Sequence, residues 1–177
     1  LTSDTSDPSL PVLRGEAVTL RPAIQNDVPQ LLAILQAPEV TRWWGDPQPG
    51  DLEQEIDAED IGVVVIEVEG EVAGMLQYHE ETEPMYRSAG MDIALAPQYH
   101  GRGVGTDALR TMARYLFEDR GHHRLTIDPA ADNVAAIATY GKIGFKPVGV
   151  MRQYERGPDG TWHDGLLMDM LREASPS

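Results

Sequence analysis

The sequence predicts the α+β class, with a mixed but mostly antiparallel central sheet and helices on its flanks. Three observations carry that reading. Strand-like segments at residues 62–68, 72–78 and 87–95 follow one another with only short turns or loops between them, the connection that antiparallel neighbours need. After them the order becomes glycine loop, helix, strand, helix and a closing strand pair, without the regular alternation of a parallel wind. A chain of 177 residues with 41% hydrophobic and 24% charged residues is long enough for one buried core and is composed like an ordinary globular protein.

The elements follow in order. Residues 1–11 are polar, without the basic start or apolar centre of a signal peptide. We read residues 1–14 as a flexible tail and 15–174 as a single domain. Residues 17–21 alternate as a first strand, stopped by Pro22. Asn26 or Asp27 caps a helix with Val28, Leu31, Leu32 and Leu35 on one face, and Pro38 ends or interrupts it. Trp43-Trp44-Gly45-Asp46-Pro47 reads as a loop, and residues 51–60 as a short acidic helix. The β-branched run 62–68, the turn Glu69-Gly70 and the return 72–78 make a hairpin. Residues 79–84 are an acidic loop before the strand 87–95. The glycine loop His100-Gly-Arg-Gly-Val-Gly-Thr106 then opens a helix with Leu109, Met112, Ala113 and Leu116 at core spacing and Gly121 as its stop. Residues 125–127 form a strand, Asp132 or Asn133 caps a second helix, and 148–154 and 166–171 close the sheet around Gly157-Pro-Asp-Gly160.

Charge and composition exclude several classes. With 29 acidic against 14 basic residues the net charge is −15, a field that repels nucleic acid. It serves solubility alone, or it draws a polycationic substrate. No apolar run approaches the ~20 residues that span a bilayer, so no membrane partner is expected. The absence of cysteine removes disulfides, thiolate zinc sites and cysteine nucleophiles, and points to the cytoplasm. His122-His123 lack nearby ligands at metal spacing, and His79 and His163 are isolated, so no metal is expected.

A glycine loop that opens a helix is an anion cradle, because successive N–H groups and the helix's positive end converge. Three anions compete for it. A nucleotide P-loop requires a Gly-Lys-Ser/Thr ending, and no lysine stands near. Gly103-x-Gly105-x-x-Ala108 with Asp128 about 20 residues on satisfies a dinucleotide fingerprint. Pro97 and Tyr99 nevertheless separate the loop from its strand, and the motif begins too late, leaving under half the chain to build a doubly wound sheet. The third anion is the pyrophosphate of coenzyme A.

Two motifs in sequence favour the third. His100-Gly-Arg-Gly-Val-Gly105 opening a helix, followed by Asn133-x-x-Ala136-x-x-x-Tyr140-x-Lys142-x-Gly144-Phe145, resembles the GCN5-related N-acetyltransferases (GNAT) over roughly residues 17–171. Within the family the chain looks most like aminoglycoside 6'-N-acetyltransferases, through Val40-Thr-Arg-Trp43-Trp44-Gly45, Gly74-Met-Leu-Gln77-Tyr78, Gly90-Met-Asp92 and Thr126-Ile-Asp128-Pro129. It departs from the family's usual Gln or Arg at His100, and the segment between Gln77 and Asp92 departs in length and sequence.

The resemblance implies a GNAT fold with a splayed strand pair and direct acetyl transfer from acetyl-CoA to the amine of a small polycation. Asp92 would take the amine's proton, directly or through water, and Tyr140 would return one to the coenzyme A sulfur. Backbone groups of Ile93, Ala94 and Leu95 would hold the pantetheine arm. His100, Arg102, Gly103, Val104, Gly105 and Thr106 would hold the pyrophosphate, and Asn133 would cap its helix or bond the arm. Lys142 either approaches a phosphate or is simply surface. Trp44, Gln77, Asp92 and Asp128 are the acceptor candidates, Trp44 as a flat wall or as core. Glu80, Glu81 and Glu83 either add attraction or form a solvated loop. The remaining alternatives are acetylation of protein N-termini or another small amine, and a non-catalytic coenzyme A-binding domain. Monomer and homodimer are both compatible with the sequence.

Overall fold

The chain is seen in a computed structural model that describes residues 10–174. Its strands are β1 (Leu13–Arg14), β2 (Val18–Pro22), β3 (Ile61–Val68), β4 (Glu71–Glu81), β5 (Ser88–Leu95), β6 (Arg124–Ile127), β7 (Lys146–Arg156) and β8 (Trp162–Leu171). Its helices are α1 (Val28–Leu35), α2 (Pro38–Trp44), α3 (Asp51–Asp57), α4 (Val104–Glu118) and α5 (Val134–Ile143). All eight strands join one sheet in the order β1-β2-β3-β4-β5-β6-β8-β7, antiparallel throughout except where β5 meets β6.

The β-branched run explains the layering. A strand apolar at every position needs cover on both faces. Val64 and Ile66 enter the core shared with α4 and α5, where Leu109, Met112 and Leu116 are fully buried. Val63 and Val65 enter a second core with Leu31, Ile34 and Leu35 of α1, Val40 of α2 and Leu52 of α3. Alternation along β5 follows the same division. Met91, Ile93 and Leu95 face the α4–α5 side, while Ala94 faces the α1–α3 side, and with it Asp92.

The structure amends five expectations. Pro38 begins a helix, because proline at a first helical position gives up an N–H that has no partner there anyway. Trp43 and Trp44 therefore close α2, ended by Gly45 at φ 78°, and do not lie in a loop. Strand β4 runs on through His79, Glu80 and Glu81, so the acidic loop is shorter than expected. The last two strands are longer than the sequence suggested. Of the tail expected over residues 1–14, the described part is attached: Leu10 is buried and β1 pairs with β2. Residues 1–9 lie outside the described residues.

One carboxylate fastens this edge of the sheet to the helix behind the glycine loop. Asp107, in the first turn of α4, accepts from the backbone N–H groups of Glu16, Ala17 and Val18 at 3.0, 2.7 and 3.0 Å. Asp107→Ala strips three donors of one partner, and should lower unfolding free energy in urea by about 1–3 kcal/mol.

Candidate active site

The site begins where two strands stop pairing. Strand β5 pairs with β6 only at Ala89↔Leu125 and Gly90↔Thr126. From Met91 onward the two part, and β6 keeps its other edge on β8. Ala96 N donates to Ala73 O at 2.8 Å, so antiparallel alternation directs the backbone groups of Ala94 to β4 and those of Ile93 and Leu95 into the gap. Both free carbonyls there are taken by side chains. Trp44 Nε1 donates to Ile93 O at 3.0 Å, and His100 Nε2 donates to Leu95 O at 2.8 Å. The N–H groups of Ile93 and Leu95 have no partner among the described residues.

Beyond the gap the chain turns at Pro97–Tyr99 into the glycine loop. Gly101 and Gly103 have φ 69° and 78°, the left-handed region that glycine adopts without strain, and a Cβ at either would meet nothing within 4 Å. The loop thus presents bare backbone to open space at the N-terminus of α4. Gly105 instead packs close to Leu95. Arg102 lies over the Tyr99 ring at 5.5 Å and does not line the cleft, and Val104 is buried in the core.

On the far side stands α5. Asn133 caps it through Oδ1, which accepts from Ala136 N at 3.2 Å, and the residue also borders the cleft. Tyr140 is buried edge-on against Phe145, with ring centroids 6.3 Å apart. Burial, with Asp92 and Asp128 nearby, pushes its phenol above the usual tyrosine range, so it stays protonated. Its hydroxyl has no hydrogen-bond partner among the described residues. Lys142 lines the same cleft.

These walls enclose about 1060 Å³. That lies at the upper end of the ~300–1,000 Å³ usual for small-molecule sites. Asp92, Asp128 and Glu155 stand together in it, and none has a salt bridge among the described residues. Water reaches Asp92 through the open mouth, yet protein surrounds it on most sides. Burial first, then Asp128 and Glu155, push its carboxyl up to about 7. Glu155 is also raised, by burial and by Asp128.

The cleft therefore gathers Trp44, Asp92, Ile93, Ala94, Leu95, His100, Gly103, Gly105, Thr106, Asp128, Asn133, Tyr140 and Lys142 from the expected residues. It leaves out Arg102 and Val104, as above, and Gln77. Gln77 lies opposite Asp92, but its Nε2 donates to Glu55 of α3 at 2.5 Å. Glu80 is likewise occupied, bound by Arg120 through two nitrogens and by His122 at 2.6 Å. Sequence reasoning missed Glu39, Tyr154 and Glu155. Among the described residues no group of three or more histidine, aspartate or glutamate side chains is placed to hold a metal, and no helix is long and apolar enough to cross a membrane.

A parted strand pair beside a glycine-nest helix defines a class, and the relatives agree with it. The family model of the Acetyltransferase (GNAT) domain matches residues 17–146, and the chain belongs to that family of acetyltransferases. It is 28% identical to the aminoglycoside N(6')-acetyltransferase type 1 of Klebsiella pneumoniae over 90% of this chain and 86% of that one. It is 27% identical to the spermidine N(1)-acetyltransferase of Escherichia coli K12, over 87% and 86%. The solved structure of AAC(6')-Ib with paromomycin and acetyl-CoA superimposes with a TM-score of 0.74 at 27% identity, covering 90% of this chain and 96% of that one.

The Asp92 carboxyl has a consequence for stability. Its folded value of about 7 lies above the ordinary 3.8, so between these pH values the folded chain holds a proton that the unfolded chain has lost. Stability then falls as pH rises from about 4 to about 7 and stays lower above. Asp92→Asn should raise the thermal midpoint over the wild type at about pH 8 and change it little near pH 3, where the carboxyl is mostly protonated in the folded and the unfolded chain alike.

Proposed function

We propose that this acetyltransferase moves the acetyl group of acetyl-CoA directly to a primary amine of a small polycation, first of all the 6'-amine of an aminoglycoside. The single observation behind this reading is the trio Asp92, Asp128 and Glu155, three carboxylates without a cation, in the cleft that also holds the glycine nest. Carboxylates gathered at such cost are the natural seat of ammonium groups.

The residues fit acetyl-CoA as donor. Free N–H groups at Ile93 and Leu95 suit the amides and thioester oxygen of an extended arm. The bare loop from Gly101 to Thr106 suits a pyrophosphate, with uncharged donors where the overall charge is unfavourable. Lys142 supplies a cation beside it. Asp92 accepts the proton of the bound ammonium, and a base with a value near the working pH is the efficient one. Tyr140, kept protonated, gives its proton to the departing sulfur. Trp44 walls the acceptor side. The cytoplasm is the proposed compartment.

The same trio suits a linear polyamine, and the spermidine-acetylating relative keeps that second reading in view. Thiol release with acetyl-CoA and kanamycin, spermidine or an N-terminal peptide separates them. Turnover on kanamycin well above the other two is expected. Activity on the peptide alone would sink both polycation readings, and acetyl-CoA binding without turnover would leave only a coenzyme-binding domain.

For the roles, Asp92→Ala should lower turnover about 10²-fold or more, and the wild-type rate should climb with pH through about 7 as Asp92 loses its proton. Tyr140→Phe should cost about 10²-fold in turnover with a smaller change in KM, since its proton is needed only as the sulfur leaves. An unchanged rate in either variant removes that residue from the chemistry.

A further inference from the structure

One wall of the cleft is made by an irregularity in the sheet. Between the pairs Met151↔Gly165 and Glu155↔His163, strand β7 sets Arg152, Gln153 and Tyr154 against Asp164 alone. Gln153 takes φ 49°, a left-handed conformation that non-glycine residues rarely hold without support. The support is Asp164, whose Oδ1 accepts from Gln153 N at 2.8 Å. The backbone of β8 is in turn tied to the segment after Asp128, through Ala131 N to Asp164 O and Leu166 N to Pro129 O, both 2.9 Å. Bulge and Asp128 are therefore parts of one rigid construction.

Tyr154 is what the bulge delivers. Its ring lies on Gly165, where an added Cβ would stand 2.9 Å from the ring's Cδ1. Its hydroxyl donates to Asp128 Oδ2 at 2.5 Å. That carboxylate is the first cause pushing the phenol up to about 12, so Tyr154 remains a donor across the working range. Asp128 Oδ1 has no hydrogen-bond partner among the described residues. A tyrosine 49% exposed would ordinarily be free to swing, and here three separate features hold it.

We propose that the β7 bulge sets acceptor specificity: Tyr154 clamps one oxygen of Asp128 so that the other is presented to a second ammonium group of the acceptor, apart from the amine beside Asp92. Tyr154 is thus a positioning residue acting through Asp128. This rests on the polycation reading above and adds to it which residue selects for a second charge.

The test compares Tyr154→Phe, Asp128→Asn and the double variant, with kanamycin and spermidine as polycations and 6-amino-6-deoxyglucose as a single-ammonium acceptor. Tyr154→Phe should raise KM for the polycations about tenfold, with kcat and the KM for acetyl-CoA within about twofold, and leave the kinetics on 6-amino-6-deoxyglucose unchanged. The double variant should be no worse than Asp128→Asn alone, since the hydroxyl acts only through that carboxylate. Unchanged polycation kinetics in Tyr154→Phe, an equal loss on 6-amino-6-deoxyglucose, or additive effects in the double variant would each overturn the proposal and leave the polycation reading standing. A wild type that acetylates no amine removes the polycation reading, and the proposal with it.

Discussion

The parting of β5 from β6 is the constraint on which the rest depends. Strands inside a sheet ordinarily pair to their ends, because buried N–H and C=O groups left alone are costly. Here both strands run into proline at the mouth. Pro97 follows β5 after one residue and Pro129 follows β6 after Asp128, and proline offers no N–H to a ladder. The carbonyls freed on β5 are then satisfied from two directions, by Trp44 of α2 and by His100 of the glycine loop. On β5 only the N–H groups of Ile93 and Leu95 remain open among the described residues. The β5 edge of the gap is therefore a set of donors, suited to carbonyl oxygens arriving on a substrate, and the same two side chains tie α2 and the glycine loop to one strand.

The charge distribution is resolved by the same geometry. A chain of net charge −15 binds anions poorly by long-range attraction. A nest of backbone amides needs no net charge, and salt screens the distant acids within about 8–10 Å. Asp107 would be the most troublesome neighbour, placed in the first turn of α4. Its two oxygens are spent on the N–H groups of Glu16, Ala17 and Val18. The acids without a salt bridge, Asp92, Asp128 and Glu155, stand elsewhere in the cleft. The glycine loop and the acid cluster thus differ in kind, dipoles for one and charges for the other.

Much of the fold and of the glycine loop was legible in the sequence, because their signals are local. The run at 62–68 announces a strand covered on both faces, and the glycines at 101 and 103 announce a backbone that must turn left-handed with nothing above it. The acceptor half depends on contacts between distant residues, and there the sequence misleads or is silent. Gln77 has the right alternation to face the cleft with Asp92, but Glu55, on a helix 22 residues earlier, takes its amide. Glu80 reads as a solvated acid until Arg120 and His122 arrive from beyond α4. Pro38 is ambiguous in principle, since proline both ends helices and begins them. The bulge that brings Tyr154 and Glu155 inward is invisible because its left-handed residue is Gln153, and no glycine marks the spot.

On the proposed reading, the trio of acids also limits how strong a base Asp92 remains once an acceptor is bound. Part of its raised value comes from Asp128 and Glu155, and ammonium groups seated on those two would cancel that part. A polycation would then weaken the very base it needs. The order of causes decides the matter. Burial is the larger contribution, and a bound acceptor does not remove it. On the proposed reading Asp92 therefore stays a competent base with the cleft full. The neighbouring acids act mainly while it is empty, drawing in a cation, and the stability they cost the free chain is recovered when charge is neutralised in the complex.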